Sequence, residues 1–448
     1  MLTPTRWHAA YAWLPGRGGP DADVLIEVAD GRFTAVDAGV PAPPDATRLS
    51  GLVLPGLANA HSHAFHRALR GRTHAGGGTF WTWRERMYDV ATRLDPDSYL
   101  ALARATYAEM ALAGITCVGE FHYLHHAPGG RPYADPNAMG AALVEAAAQA
   151  GVRLTLLDAC YLTATVDGAP LAGPQLRFGD GDAAGWAARV DAFRPAGGHA
   201  LIGAAIHSVR AVPADQLADV AGFAVAREMP LHTHLSEQPA ENDACLAYHG
   251  TTPAGLLARA GALGPRTTAV HATHLTGPDL TALRDTGTGV CLCPTTERDL
   301  ADGIGPARAL ADAGIRLSLG SDSHAVIDPF EEARAVELDE RLRTRRRGHF
   351  SAGQLLRAAG PAGHEALGWT DAGRIAVGAR ADLVAVRLDS VRTAGVEPVG
   401  ALFAATAADV DLVLVDGTVV IRDGRHVRVD VPAELARSVA NSYGEGAA

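Results

Sequence analysis

The stretch Leu52-Val53-Leu54-Pro55-Gly56-Leu57 leads through Ala58-Asn59-Ala60 into His61-Ser62-His63. It reads as an apolar strand with a Pro-Gly kink, ending in a pair of histidines. Residues i and i+2 of an extended chain share a face, so both imidazoles can turn toward one point. Alone, such a pair is a weak signal. Its force comes from repetition along the chain. Strand-like runs recur at Leu52–Leu57, Ile115–Gly119, Arg153–Leu157, Leu201–Ile206, Pro230–Thr233, Thr267–Val270, Gly289–Cys293 and Arg316–Leu319. Helical stretches separate them, among them Asp97–Ala113, Pro136–Ala150, Pro213–Arg227, Pro253–Ala262 and Gly305–Ala313. Several begin near proline and end near glycine, as helix capping predicts. Strand-then-helix units in this number predict an α/β protein built on a (β/α)8 TIM barrel.

The chain ends read differently. Val24-Leu25-Ile26-Glu27-Val28 and Phe33-Thr34-Ala35-Val36 are short β-like runs broken by turn residues. Ala381–Val386, Asp411–Val415 and Thr418–Ile421 repeat the pattern near the other end. We expect residues 1–55 and 374–448 to build a small β-sandwich domain together, and residues 56–373 to form the barrel.

Composition bounds the chemistry. The chain has 448 residues, a hydrophobic fraction of 48% and a net charge of −11. That charge argues against nucleic acid as a partner. No apolar run is long enough to span a membrane, and the N-terminus lacks the pattern of a secretory leader. The five cysteines are an odd number and four of them fall in or beside predicted buried elements, which fits a reduced, cytoplasmic protein. Cys291-Leu292-Cys293 has the wrong spacing for a zinc ribbon. All 39 basic residues are arginine. A lysine Schiff base, a P-loop lysine and a carboxylated lysine bridging two metals are therefore excluded.

In a barrel of this kind, reactive residues gather where the strands end. The candidate strands lead in turn to His61 and His63, Glu120 and His122, Asp158, His207 and Arg210, His234 and Glu237, His271, and Asp322. His61, His63, His234 and Asp322 form a three-imidazole, one-carboxylate set suited to one Zn²⁺, or to Fe²⁺. A remaining coordination position would activate water. Glu237, three residues after His234, is placed to carry a proton to a leaving nitrogen. His271 would orient the attacking water, and Asp322 would accept its proton. His274 reads as structural. His122, His125, His126 and Asp158 have no assigned role at this stage.

These residues resemble the amidohydrolase superfamily in its mononuclear deaminase branch. The resemblance covers nearly the whole chain and includes Gly373-x-Ile375-x-x-Gly378-x-x-Ala381-Asp382-Leu383, which looks like the return into a β-sandwich domain. The absence of lysine agrees with that branch. More specific stretches are His61-Ser62-His63-Ala64-Phe65, Phe80–Tyr88, Gly119–His125, His207-Ser208-Val209-Arg210 and Gly320–His324. They are similar to N-formimidoyl-L-glutamate deiminases of histidine degradation. That resemblance implies hydrolysis of a small anionic amidine to N-formyl-L-glutamate and ammonia, by a homodimer. Arg84 and Arg210 would hold the carboxylates by bidentate contacts, with Tyr123, His207 and His66 adding hydrogen bonds. The Phe80–Tyr88 segment also suits a lid or a dimer contact. Position 66 departs from the family, where glutamine is expected. A heteroaromatic-base or nucleoside deaminase (guanine, cytosine or an adenosine derivative) would use the same metal set and is the alternative. A non-catalytic protein on the same barrel would show gaps in the ligand set, and there are none.

Overall fold

The computed structural model describes residues 4–74 and 78–445. Two eight-stranded sheets organise it. The first is a parallel sheet of Leu57–Ser62, Ile115–His122, Arg153–Cys160, Ala200–Ile206, Leu231–Leu235, Thr267–His271, Gly289–Leu292 and Leu317–Leu319, each strand paired with the next. A parallel bridge between Ser62 and Asp322 joins the last strand to the first. Asp322 N–H donates to the His61 carbonyl at 3.0 Å, and His63 N–H donates to the Asp322 carbonyl at 3.3 Å. The expected (β/α)8 barrel is present.

One strand is displaced from its expected place. Leu52–Pro55, read above as the first barrel strand, ends a strand of the other sheet, Thr47–Pro55. The first barrel strand starts only after Gly56. A Cβ at Gly56 would lie 2.4 Å from Thr116 Oγ1 and 2.6 Å from the Asp382 Cβ, so the crossing between sheets has room only for glycine.

The second sheet takes Thr5–Ala12, Asp21–Ala29, Arg32–Asp37 and Thr47–Pro55 from one chain end, and Leu383–Val386, Val410–Val415, Thr418–Arg422 and Arg425–His426 from the other. It folds over on itself. Phe33 N–H donates to the Ala379 carbonyl at 3.0 Å, and Ala381 N–H to the Gly31 carbonyl at 2.8 Å. Trp7, Ile26, Phe33, Val53, Leu383 and Leu414 are enclosed within. Arg153, at the start of the third barrel strand and fully buried, ties the two sheets by ion pairs to Asp382 and Asp416.

Helices cover the barrel. Pro96–Leu112 begins with a capping box between Asp95 and Ser98 and has Pro96 in its first turn, which satisfies otherwise orphaned N–H groups. It buries Leu102, Ala103, Tyr107 and Met110 against the strands. Trp186 of Ala183–Ala192 is wholly buried. Truncating a side chain of that size to alanine costs about 3–5 kcal/mol. Among the described residues, no helix is long and apolar enough to cross a membrane. All five cysteines are buried and unbridged.

Candidate active site

The barrel is closed at the place where its chemistry sits. Gly320 allows this: a Cβ there would lie 2.7 Å from His61 Cβ and 2.8 Å from the His61 carbonyl. Asp322 (φ +42°), His324 (φ +59°), His271 (φ +66°) and Ser236 (φ +50°) all hold left-handed backbone conformations at strand ends. Non-glycine residues rarely adopt these, and they persist where surrounding contacts over-determine them.

The first strand does not alternate simply. Asn59 bonds Ser321 Oγ at 2.7 Å and reaches Met110 on the helical layer. Ser62, three residues on, also faces outward and donates to Glu120 at 2.7 Å. A slip in pairing register between Asn59 and Ser62 accounts for this. It leaves His61 and His63 turned inward, with ring centroids 4.8 Å apart.

Asp322 Oδ1 stands 3.3 Å from both His61 Nε2 and His63 Nε2. His234 Nε2 is 3.1 Å from His61 Nε2. His63 Nδ1 donates to the Phe121 carbonyl and His234 Nδ1 to the His207 carbonyl, each at 2.9 Å. Their Nε2 lone pairs therefore point at the others. Burial holds His61 down to about 3 and His234 well below the usual histidine range, so both imidazoles are neutral. Unprotonated nitrogens facing each other in a buried site repel unless a cation lies between them. Donors about 2.0–2.1 Å from a tetrahedral ion stand about 3.3–3.4 Å from one another, near the spacing seen here. The set fits a divalent metal ion.

His271 lies across from these groups, its Nε2 3.9 Å from Asp322 Oδ2 and 3.8 Å from Glu237 Oε1. Its Nδ1 is 3.6 Å from Glu297 Oε1. Burial disfavours the imidazolium, but Glu237, Glu297 and Asp322 outweigh it and raise the group well above its ordinary value. Burial pushes the Glu237 carboxyl up, with His271 opposing.

His63, His234, Glu237, His271 and Asp322 line a cavity of ≈ 300 Å³. Arg84, Tyr123, His207, Arg210 and His66 line it too. The structure therefore gathers every candidate residue at one site, with His61 just behind the cavity wall and fully buried. Arg84 sits on helix Phe80–Ala91 and stacks 4.6 Å over Trp81 and 5.6 Å over Tyr88. Arg210 Nη1 donates to the Tyr161 hydroxyl at 3.1 Å. Among the described residues, neither arginine makes an ion pair. His66 Nε2 is 2.9 Å from the Tyr123 hydroxyl, its ring 5.0 Å from that of Trp83. Burial keeps it neutral, well below the usual range.

Three expected rim residues point the other way. Glu120, His122 and Asp158 face the helices rather than the cavity. Glu120 accepts from Ser62 and from Ala64 N–H, each at 2.7 Å, and burial raises it to about 7. His324 joins the same network, 3.2 Å from Ser62 Oγ and 3.0 Å from Ser321 Oγ. These contacts tie the first and last strands together behind the metal-facing side chains. Asp158 is gripped by both terminal nitrogens of Arg189, each at 2.8 Å. Arg189 also holds Asp180, which bonds His126 at 2.9 Å. His125 Nδ1 is 3.3 Å from His122 Nε2, and His125 Nε2 is 3.8 Å from Asp158 Oδ1. A resident guanidinium already supplies the positive charge there, so His122, His125 and Asp158 make no second metal site. His274 Nε2 donates to the Asp302 carbonyl at 2.8 Å, a structural contact.

Sequence reasoning missed Glu241, Tyr161, Trp83 and Phe178 in the cavity wall, and Glu297 beside His271. The signal for Glu241 was its place four residues after Glu237, in the first turn of the helix that follows the end of the fifth barrel strand. The signal for Glu297 was its position just past the seventh barrel strand.

Residues 52–420 match the family model described as "Amidohydrolase family". A formimidoylglutamate deiminase from Pseudomonas aeruginosa is 40% identical over 397 residues, 85% of this chain and 87% of that protein. An 8-oxoguanine deaminase of the same organism is 30% identical, covering 94% of each. Among solved structures, an amidohydrolase from Brucella melitensis superposes with a TM-score of 0.89 at 33% identity, over 98% of this chain and 99% of that one. An adenosine deaminase from Xanthomonas campestris, solved with bound zinc, gives 0.84 at 25% identity, over 98% and 97%. With the fold, the metal-competent His/Asp set and the match over most of its length in agreement, the chain belongs to the amidohydrolase family, as a hydrolase acting on C–N bonds.

Proposed function

We propose that this protein deiminates N-formimidoyl-L-glutamate, giving N-formyl-L-glutamate and ammonia. One observation carries the reading furthest: Arg84 and Arg210 share the cavity with the His/Asp set and, among the described residues, have no carboxylate partner. Cations left unpaired in a cavity wall suit an anionic ligand, and planar guanidinium forks match carboxylates. The substrate has two carboxylates and one amidine head. The 40% identical deiminase relative supports the same reading. In this reading residues 56–373 form the catalytic domain, and residues 1–55 with 374–448 a supporting one.

His61, His63, His234 and Asp322 would hold a divalent metal ion, with Zn²⁺ the first choice and Fe²⁺ the second. When bound, the ion supplies the Lewis acidity that makes water nucleophilic near neutral pH. Asp322 Oδ2, turned from the other ligands toward His271, takes the proton of the attacking water. His271 orients that water by hydrogen bonding. The oxygen adds to the formimino carbon, and Glu237 protonates the imino nitrogen. Glu237 then takes the proton of the adduct's hydroxyl and delivers it to the amino nitrogen. The C–N bond breaks as the formyl C=O forms, ammonia leaves, and the proton held by Asp322 returns to Glu237. Arg84 and Arg210, with Tyr123, His207 and His66, fix the carboxylates so that the carbon meets the water; such orientation can supply up to about 7–11 kcal/mol.

The test is ammonia release from N-formimidoyl-L-glutamate measured beside 8-oxoguanine, 5-methylthioadenosine, guanine and cytosine. A kcat/KM highest on the formimidoyl substrate is expected. Faster turnover of a purine would replace this reading with the one the 8-oxoguanine deaminase relative favours.

A further inference from the structure

Glu297 has no part in the mechanism above, yet it stands behind a group that does. It lies on the short helix Pro294–Asp299, just past the seventh barrel strand, and is buried. The local chain fixes it. Its Oε1 accepts the Cys293 N–H at 2.8 Å, and its own N–H donates to the Cys293 carbonyl at 2.9 Å. Its carbonyl accepts the Asp302 N–H at 2.9 Å. The carboxylate therefore keeps its place without help from the cavity.

His271 is less firmly held. Its Nε2 faces the reacting groups, 3.8 Å from Glu237 Oε1 and 3.9 Å from Asp322 Oδ2, while its Nδ1 is 3.6 Å from Glu297 Oε1. That Nδ1 is buried and makes no hydrogen bond among the described residues. A buried ring nitrogen left unmade is costly, and it needs a partner. Contacts between reacting groups are often long before substrate binds and tighten in the complex. An ionised carboxylate can only accept, so a ring nitrogen bonded to it must carry the hydrogen. We infer that Glu297 is a positioning residue: it accepts the Nδ1 hydrogen of His271 and so leaves Nε2 as the one nitrogen that meets the attacking water. A ring without this partner could turn over and present either nitrogen. A carboxylate on the far nitrogen sets the tautomer of the histidine base in serine hydrolases by the same logic. The inference rests on the role given to His271 above, and not on which C–N substrate the protein takes.

The test measures kcat and KM on whichever substrate of the panel above wild type turns over fastest. Glu297→Ala and Glu297→Gln are assayed alone and combined with His271→Asn, with bound metal quantified in each. Glu297→Ala is expected to lower kcat about 10–100-fold, with KM within about twofold of wild type and metal content unchanged. Glu297→Gln keeps an oxygen where the Cys293 N–H pins it and should lose less; it carries the same comparison if Glu297→Ala does not fold. In the His271→Asn background either change should cost less than about twofold more, because residues that act through one another are not additive. An equal loss in both backgrounds, or a lowered Tm with kcat unchanged, means that Glu297 only braces its loop, and overturns the inference. If His271→Asn alone keeps most of the wild-type kcat, the role given to His271 falls and the inference with it. A wild-type protein inactive on the whole panel overturns the proposed function, and this inference too.

Discussion

Replacing Arg210 with methionine separates substrate recognition from stability. Methionine keeps much of the volume and removes the charge. Among the described residues Arg210 has one side-chain hydrogen-bond partner, the Tyr161 hydroxyl at 3.1 Å, and no carboxylate partner. Arg210 lines the cavity. A carboxylate held there accepts two charge-assisted hydrogen bonds of about 1.5–3 kcal/mol each. Losing both costs about 3–6 kcal/mol, or roughly 10²–10⁴ in kcat/KM at 1.36 kcal/mol per decade. A loss of uniform binding appears mainly in KM. Stability should move in the other direction or stay put, since an unpaired cation is removed and the Tyr161 hydroxyl keeps its bond from Gln175 Nε2 at 3.1 Å. Steady-state ammonia release and a thermal melt measure the two effects. The reasoning fails if Arg210→Met keeps kcat/KM within threefold of wild type, or if its Tm drops by several degrees.

Glu237→Gln keeps the shape of the side chain and removes the proton it delivers. Turnover should fall by at least about 10²–10⁴, with the metal retained, as elemental analysis against activity would show; a variant keeping most of its kcat would remove Glu237 from proton transfer. Arg189→Met strands Asp158 and Asp180 beneath helix Ala183–Ala192, far from the cavity. Breaking a buried pair in this way costs about 3–5 kcal/mol, readable in a denaturant titration. The same pairing sets an acid limb. Burial raises Asp180, but His126 and Arg189 outweigh it and hold the carboxyl far below its usual value. The stability it contributes is therefore complete above about pH 4 and is lost as pH falls further. An acid titration of wild type should show this limb, and Arg189→Met should flatten it.

Much of the site was legible because strand ends are local features. His61, His63, His234, Glu237, His271 and Asp322 each follow directly from an apolar run, and a barrel of parallel strands brings such ends together. The first strand was misplaced for an equally physical reason. Leu52–Pro55 and Leu57–Ser62 are both wholly buried, and only their hydrogen-bond partners assign them to different sheets. The outward turn of Glu120, His122 and Asp158 was hidden likewise. All eight residues of Ile115–His122 and of Arg153–Cys160 are buried, so no polar-apolar alternation reveals which face is which. Glu241, Tyr161 and Phe178 lie on loops, a helix or a strand end whose approach to the cavity depends on long-range packing.

The Ser62–Asp322 seam also orders events in time. During synthesis the histidines at 61, 63 and 234 emerge well before the carboxylate at 322, and Gly320, which lets the last strand nest against His61, arrives with it. A nascent or truncated chain that stops short of this point has imidazoles but neither a finished ring nor a complete cradle for the ion. If the proposed roles hold, hydrolytic competence is withheld until almost the whole barrel has been made.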